Sequence, residues 1–508
     1  MMKKLFTLLM IGAVMVACSR KEEPEVIEQP EVIEQPEAST TFTLSISANK
    51  DADTKGLSLT GNTLNAIWDG TEQVFVFNSS SEELTYLVPV QDAQIYTSSC
   101  TLTGTFLPAK LPTVGETLTL KLNAANYAGQ SGTIAFIAGY DDYAVATVTV
   151  KTVDKENCKI TIEEATASFA SQQAIVKFTL LKKDGSALPN NPTALTINDG
   201  TSNVATVTTV SSTYTTNGDG VLYVAVPAID NKTITLTATV GSDTYIYEKS
   251  GVSFVNGKYY TRTVKMYRKI DLSKVTSNFT AQNGDMLTGT LGSNVKISIA
   301  DGATVTLNNA SINGTSDNSY QWAGITCEGN ATIILKDGTT NTVKGFHEDY
   351  PGIHVPAGST LTIKGETAGT GILDASSNDD TNNSGAGIGG GWDLACGNIE
   401  IQGGVITATG STSAAGIGSN NRSCGNITIS GGTVTATGTG YAAGIGGGYD
   451  GGCGDITIAS TVTRVTATAG LGAVHSIGKG KNGTIGTVTI GGDVTGPIST
   501  SPYTYPAS

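Results

Sequence analysis

Three stretches toward the C-terminal end repeat one another closely enough to dictate an architecture. Ala386-Gly-Ile-Gly389 leads to Cys396-Gly-Asn-Ile-Glu-Ile-Gln-Gly-Gly404, Ala415-Gly-Ile-Gly418 to Cys424-Gly-Asn-Ile-Thr-Ile-Ser-Gly-Gly432, and Ala443-Gly-Ile-Gly446 to Cys453-Gly-Asp-Ile-Thr-Ile458. The isoleucines Ile388, Ile417 and Ile445 lie 29 and 28 residues apart. Degenerate copies occur at Ala323-Gly-Ile325, at Gly352-Ile353, and at Ile477 with Thr487-Val-Thr-Ile-Gly-Gly492. Two or three short strands per copy, with glycine pairs at the corners, make one coil of a parallel β-helix. Each coil pairs its strands with the coils above and below at about 4.8 Å, so like residues stack into inward ladders. Ile388, Ile417 and Ile445 predict one ladder and the Ile-x-Ile pairs another, with corner glycines supplying positive φ. Cys396, Cys424 and Cys453 stack in the same way. They are expected as buried thiols acting as small hydrophobes, with disulfides or a metal as the alternatives. The flanking residues lack the His and paired Cys of a zinc site.

The rest of the chain reads as strands of another kind. Short alternating patterns such as Thr41-Phe-Thr-Leu-Ser-Ile-Ser47, Gln73-Val-Phe-Val-Phe77 and Ala144-Val-Ala-Thr-Val-Thr-Val150 fill residues 40–154. A second set, with strands expected at 174–181, 221–226, 233–240 and 259–267, fills 155–270. Asn217-Gly218-Asp219-Gly220 is a turn signal between two of these. Each set has the size and strand spacing of a β-sandwich. The predicted fold class is therefore all-β: two β-sandwich domains followed by a parallel β-helix over residues 271–508.

The first seventeen residues have the layout of a signal peptide, with Lys3 and Lys4 before an apolar run from Leu5 to Val16. That run is too short to span a bilayer as a helix. Met15-Val16-Ala17-Cys18 resembles a lipobox, so Cys18 is the expected lipidation site and the mature N-terminus of the precursor, and lipid is the expected membrane attachment. Ser19-Arg20-Lys21-Glu22-Glu23 is similar to an export signal that sends lipoproteins to the outer face of the outer membrane. Residues 18–39 then form an acidic, proline-rich tether in which Glu-Val-Ile-Glu-Gln-Pro occurs twice. The net charge of -14, with 30 Lys+Arg and no basic block after the signal peptide, argues against nucleic acid as a partner.

Acid–base chemistry is thinly supplied. The chain has three histidines, His347, His354 and His475. Two of them, His354 and His475, fall near the Gly-Ile-Gly corner as expected packing or surface residues. No Ser-His-Asp or Cys-His arrangement emerges, and the chain is not expected to be an enzyme; a β-helix lyase or hydrolase would need converging acids and bases. The loop Asp374-Ala-Ser-Ser-Asn-Asp-Asp-Thr-Asn-Asn383 is oxygen-rich, so calcium is the one cation it suggests, although the EF-hand spacing is missing. No other cofactor is implied. A sharper feature is a column after each corner: Trp392-Asp393, Asn421-Arg422 and Tyr449-Asp450. Stacked in register, these place two aromatic rings and a guanidinium on one face, which suits a sugar. Tyr320 and Trp322 are candidates to extend it.

At Lys55-Gly-Leu-Ser-Leu-Thr-Gly-Asn-Thr-Leu-Asn-Ala-Ile-Trp-Asp-Gly-Thr-Glu-Gln-Val-Phe-Val-Phe77 the chain resembles the fimbrillins, pilus subunits of Gram-negative gut and oral anaerobes. The close of the second sandwich, Phe254-Val-Asn-Gly-Lys-Tyr-Tyr-Thr-Arg-Thr-Val-Lys-Met266, is similar to the last strand of that family's second domain. The β-helix looks instead like glycine-rich modules of bacterial surface and carbohydrate-binding proteins. The resemblance implies assembly with other fimbrial subunits by donor-strand exchange, after a protease removes the N-terminal segment with its first strand. Lys50 and Lys55 are placed in the loop after that strand, and Lys55 before Gly56 is the preferred cleavage point. A β-helix in place of a C-terminal donor strand implies a tip subunit that mediates cell adhesion at the surface of the outer membrane. The alternative is a non-pilus surface lipoprotein that binds polysaccharide.

Overall fold

The computed structural model describes residues 41–506, except 51–57, 61–62, 66, 69, 91–96, 209–219, 316, 318 and 379–384. Strand follows strand, and the few helical turns are three to five residues long. No helix among the described residues is long and apolar enough to cross a membrane.

The first part contains β1 (Phe42–Lys50), β2 (Val74–Phe77), β3 (Glu83–Pro89), β4 (Ser99–Phe106), β5 (Thr117–Leu122), β6 (Ala144–Asp154), β7 (Lys159–Ile162) and β8 (Thr166–Ser171). Their bonded order is β8-β1-β4-β3-β2-β5-β6-β7, and further pairings of β8 with β6 and β1 with β7 close the layer on itself. β1 is an interior strand. It is antiparallel to β4 from Phe42 to Asn49 and parallel to β7 and β8 on its other edge. Its period-two sequence sends Phe42, Leu44, Ile46 and Ala48 into a core shared with Trp68, Phe106 and Phe169.

The second part contains β9 (Ala174–Lys182), β10 (Ala194–Asn198), β11 (Asn203–Thr208), β12 (Val221–Val226), β13 (Ile229–Val240), β14 (Asp243–Phe254) and β15 (Tyr259–Asp271). One ladder runs β11-β10-β13-β14 and another β12-β9-β15. Both contribute to one core, in which Leu195, Ile197 and Leu236 meet Phe178, Leu222 and Met266. Gln130, from the first part, is fully buried against this unit. Its side chain donates to the carbonyl of Ala225 and accepts from the Ala225 amide, both at 2.8 Å. With both ends of a buried amide satisfied, the contact stabilises one relative placement of the two parts.

β15 does not stop at the edge of the second core. Its last residues pair in parallel with β16 (Asp285–Thr290), Arg268 opposite Asp285, and so form the first rung of the coils. From there three parallel ladders rise together. The corner ladder stacks Ile325, Ile353, Ile388, Ile417, Ile445 and Ile477, all fully buried. The Ile-x-Ile pairs stack as Ile399–Ile427–Ile456 and Ile401–Ile429–Ile458. Coils are already present before Trp322, because Phe279–Ala281 pairs with Ile297–Ile299 and the latter with Ile325–Cys327. Asn398 and Asn426 each accept the amide of the residue one coil on, Asn426 at 2.8 Å and Asp455 at 2.9 Å. Asp455 does the same for Thr487 at 2.7 Å.

The cysteine ladder corrects the expectation of three thiols. Cys396 and Cys424 form a disulfide, while Cys453 is a free, buried thiol. Adjacent coils bring the two Cα atoms to 4.4 Å, within the range a disulfide spans. Burial, with the Asp455 carboxylate adding to it, pushes the Cys453 thiol up to about 12. At the far end the parallel pattern ceases. Tyr503–Tyr505 runs antiparallel to Arg464–Thr468, and Asp493–Val494 antiparallel to Val488–Ile490.

Candidate functional site

The corner strands Ile388–Gly389, Ile417–Gly418, Ile445–Gly446 and Ile477–Gly478 are in register. Four residues past each corner isoleucine stand Trp392, Asn421, Tyr449 and Lys481, and one residue further Asp393, Arg422, Asp450 and Asn482. Backbone bonds fix the turn that carries them. Trp392 N–H donates to the Asp349 carbonyl at 3.0 Å, Tyr449 N–H to Ser413 at 3.1 Å, and Asn482 N–H to Tyr449 at 2.9 Å.

The predicted column is therefore brought together. Trp392 is 49% exposed and Tyr449 is half-buried. Their rungs are two coils apart, about 9.6 Å at the usual strand spacing. Between them Arg422 bonds Asp393 through Nε at 2.6 Å and Nη2 at 2.5 Å. Asp450 accepts from Asn482 Nδ2 at 2.8 Å. The carboxylates are thus held by the next coil's donors, which orients them without burying them. Asn421 keeps its Oδ1 buried with no hydrogen-bond partner among the described residues.

Two contributors escaped the sequence reading. Tyr441, on the turn before its corner, packs edge-on against Tyr449 with ring centroids 5.3 Å apart. Lys481 Nζ lies 4.4 Å from the Tyr441 ring centroid and 5.3 Å from that of Tyr449. Lys481-Asn482 was readable as the next rung, at the same offset from Ile477. Tyr441 was not, because no other repeat has an aromatic residue there. Trp322 and Tyr320 do not extend the column: Trp322 precedes its corner, is partly buried, and packs with Tyr320 and Phe346 at 5.4 and 5.9 Å. The result is a shallow face of exposed aromatic edges with fixed polar groups, an arrangement that can bind and orient hydroxylated ligands.

The three histidines do not converge on it. His354 is buried, with Nδ1 3.0 Å from the Gly389 carbonyl, and burial holds its pKa below the usual value. His475 Nδ1 lies 3.2 Å from the Lys479 carbonyl. His347, Glu348 and Asp349 have candidate ligand atoms within 4.8 Å of one another, but His347 Nδ1 already accepts the Asp349 amide at 3.1 Å. Asp374, expected in a calcium loop, is instead an outward residue of the strand Ile372–Ser376. Asp379 and Asp380 lie outside the described residues.

At the N-terminal side, Cys18 and Lys55 also lie outside the described residues. Lys50 does not, and its placement in a loop is corrected. It is the last residue of β1, 5% exposed, and occupies an inward position. Its ammonium reaches the Ile67 carbonyl at 2.9 Å, Glu72 at 3.2 Å and Asp142 at 3.4 Å, 4.5 Å from the Trp68 ring centroid. Two carboxylates and a ring face compensate the buried charge. A protease needs an extended, accessible chain, and Lys50 does not offer one in this fold.

A family model described as a beta helix repeat matches residues 399–421 and 427–449, within the coils that carry Asn421 and Tyr449. No curated protein matches the sequence. Among solved structures, a fimbrial assembly protein from Parabacteroides distasonis is 12% identical with a TM-score of 0.23, over 44% of this chain and 90% of that one. The tip fimbrial protein Mfa3 from Porphyromonas gingivalis, C-terminally truncated, is 10% identical with a TM-score of 0.22, over 44% of this chain and 95% of that one.

Proposed function

We propose that this chain is a fimbrial tip subunit that mediates adhesion. In this reading it is exported as a lipoprotein acylated at Cys18 and joins the fibre by exchange of its first strand. Its β-helix then presents the Trp392–Tyr449 face to a glycan or another surface without catalysing a reaction. The observation that carries the reading is the placement of β1. It is bonded on both edges and contributes four alternating apolar side chains to the core. Such a strand is replaceable by any other with the same alternation, because the ladder reads backbone and the groove reads every second side chain. The construction of β15 supports a terminal position, since the final strand of the second unit is built into the first coil and is not free to donate. The buried ion contacts of Lys50 favour Lys55 before Gly56 as the cleavage point.

N-terminal sequencing of the protein from sheared appendages tests this directly. The expected start is Gly56. A start at acylated Cys18 in every fraction would leave the surface lipoprotein that captures polysaccharide as the better reading. A glycan array with wild type and the Trp392→Ala, Tyr449→Ala double variant tests the face separately, and equal signals would remove it.

A further inference from the structure

β14 and β15 are consecutive strands joined by a turn at 255–258, and their pairing has a single register. Thr244 lies opposite Lys269, Tyr245 opposite Arg268 and Ile246 opposite Tyr267. Continued to the turn, that register would set Phe254 opposite Tyr259, as in an ordinary hairpin. It does not continue. From Tyr247 onward β14 stays with β13, and from Tyr259 to Met266 β15 stays with β9. β13 and β9 draw the two strands apart, and the backbone is irregular there: Gly251 of β14 has φ 71°, and the β13–β14 register shifts twice between Ile229 and Ile234 of β13. Irregularities of this kind bend a strand away from its neighbour.

The parted hairpin leaves a cleft of 460 Å³, with Phe178, Leu236, Tyr247, Val252, Phe254 and Val264 in its lining. Two cations also line it. Arg262 is exposed and donates to the Thr261 carbonyl at 2.9 Å, and neither it nor exposed Lys249 has a carboxylate partner among the described residues. We infer that this cleft receives an extended segment of another protein chain, one with apolar residues at alternate positions and carboxylates beside them. Two facing strand edges present rows of backbone donors and acceptors that another backbone matches along its length, which a compact apolar molecule does not. The apolar floor takes every second side chain, and Lys249 with Arg262 selects acidic over basic flanks. The site lies in a different unit from β1 and stands whether or not β1 is exchanged.

The test uses the full chain and two capped synthetic peptides, each alternating valine and isoleucine with threonine, one flanked by glutamates and the other by lysines. Amide hydrogen exchange is read at 247–254 and 259–266. The glutamate peptide is expected to slow exchange in both strands and to bind at least tenfold more tightly than the lysine peptide. Lys249→Glu with Arg262→Glu, two exposed substitutions, is expected to reverse that preference while leaving the thermal midpoint unchanged. Absent protection, protection of one strand only, or equal binding of both peptides would overturn the proposal. So would protection that appears without peptide as protein concentration rises, which would give the cleft to a second copy.

Discussion

Gly418 sits at φ 136°, in a region that side chains disfavour, and a Cβ there would run into the carbonyl of Gly446 on the next coil. Gly418→Ala is therefore expected to destabilise by more than the roughly 1 kcal/mol that the same replacement gains where the backbone accepts it, and a chemical denaturation midpoint will show it. The corner glycines were legible because they recur at a fixed offset from the isoleucines. Lys50 was not. A lysine ending an alternating strand reads as the start of a loop, and the groups that hold it inside, Glu72 and Asp142, are 22 and 92 residues away in sequence. Burial pushes Asp142 up from an ordinary 3.8 to about 6; the Lys50 ammonium opposes that shift and Glu72 adds to it. A folded-state pKa above the unfolded one gives stability that is complete below about pH 4 and lost as pH rises through about 6. Wild type should therefore gain about 1 kcal/mol of stability relative to Asp142→Asn on going from pH 7 to pH 5. Paired thermal melts at the two pH values check it.

Elements transmit these residue effects unequally. A corner strand contributes two residues per coil, but its isoleucine is buried against the isoleucines above and below. Ile417→Ala should cost about 2–5 kcal/mol, measured by denaturant titration. Arg422→Ala should cost less than about 1 kcal/mol, because both partners of its ion pair are more than half exposed. A loss of ligand binding in Arg422→Ala without loss of stability would assign that rung to recognition. The ladders were readable from periodicity, since stacking forces like residues onto like. The cysteines show where periodicity runs out: Cys396, Cys424 and Cys453 are spaced almost alike, yet only the first two are joined. Alkylation of the folded, non-reduced protein should leave Cys453 unmodified, since its buried thiol is held far above neutral pH; mass spectrometry after unfolding and a second label would count it. The parting of β14 from β15 was equally hidden, because the strands carry ordinary alternation and the split is decided by neighbours on two other strands.

At the scale of the molecule, β15 belongs to two cores at once. Arg268 on it bonds Asp285 of β16 through two nitrogens, at 2.8 and 2.6 Å, and the Asp285 side chain is only 2% exposed. Arg268→Ala would strand a buried carboxylate at the junction, and a loss of about 3 kcal/mol is expected, with faster amide exchange in 285–290 as the local readout. The sequence placed a boundary near residue 271, yet nothing in it indicated that one strand would run through that boundary unbroken. The opposite end of the coils is finished differently. The antiparallel strands 493–494 and 503–505 cover the last rung, where a bare parallel edge would invite another chain to add on. The stack is thereby given a definite height, and each coil is a graduation of about 4.8 Å on it. Inserting or deleting one whole coil would move the Trp392–Tyr449 face nearer to or farther from β15 by that step, leaving both finished ends as they are: the module is a ruler whose scale is set by its repeats.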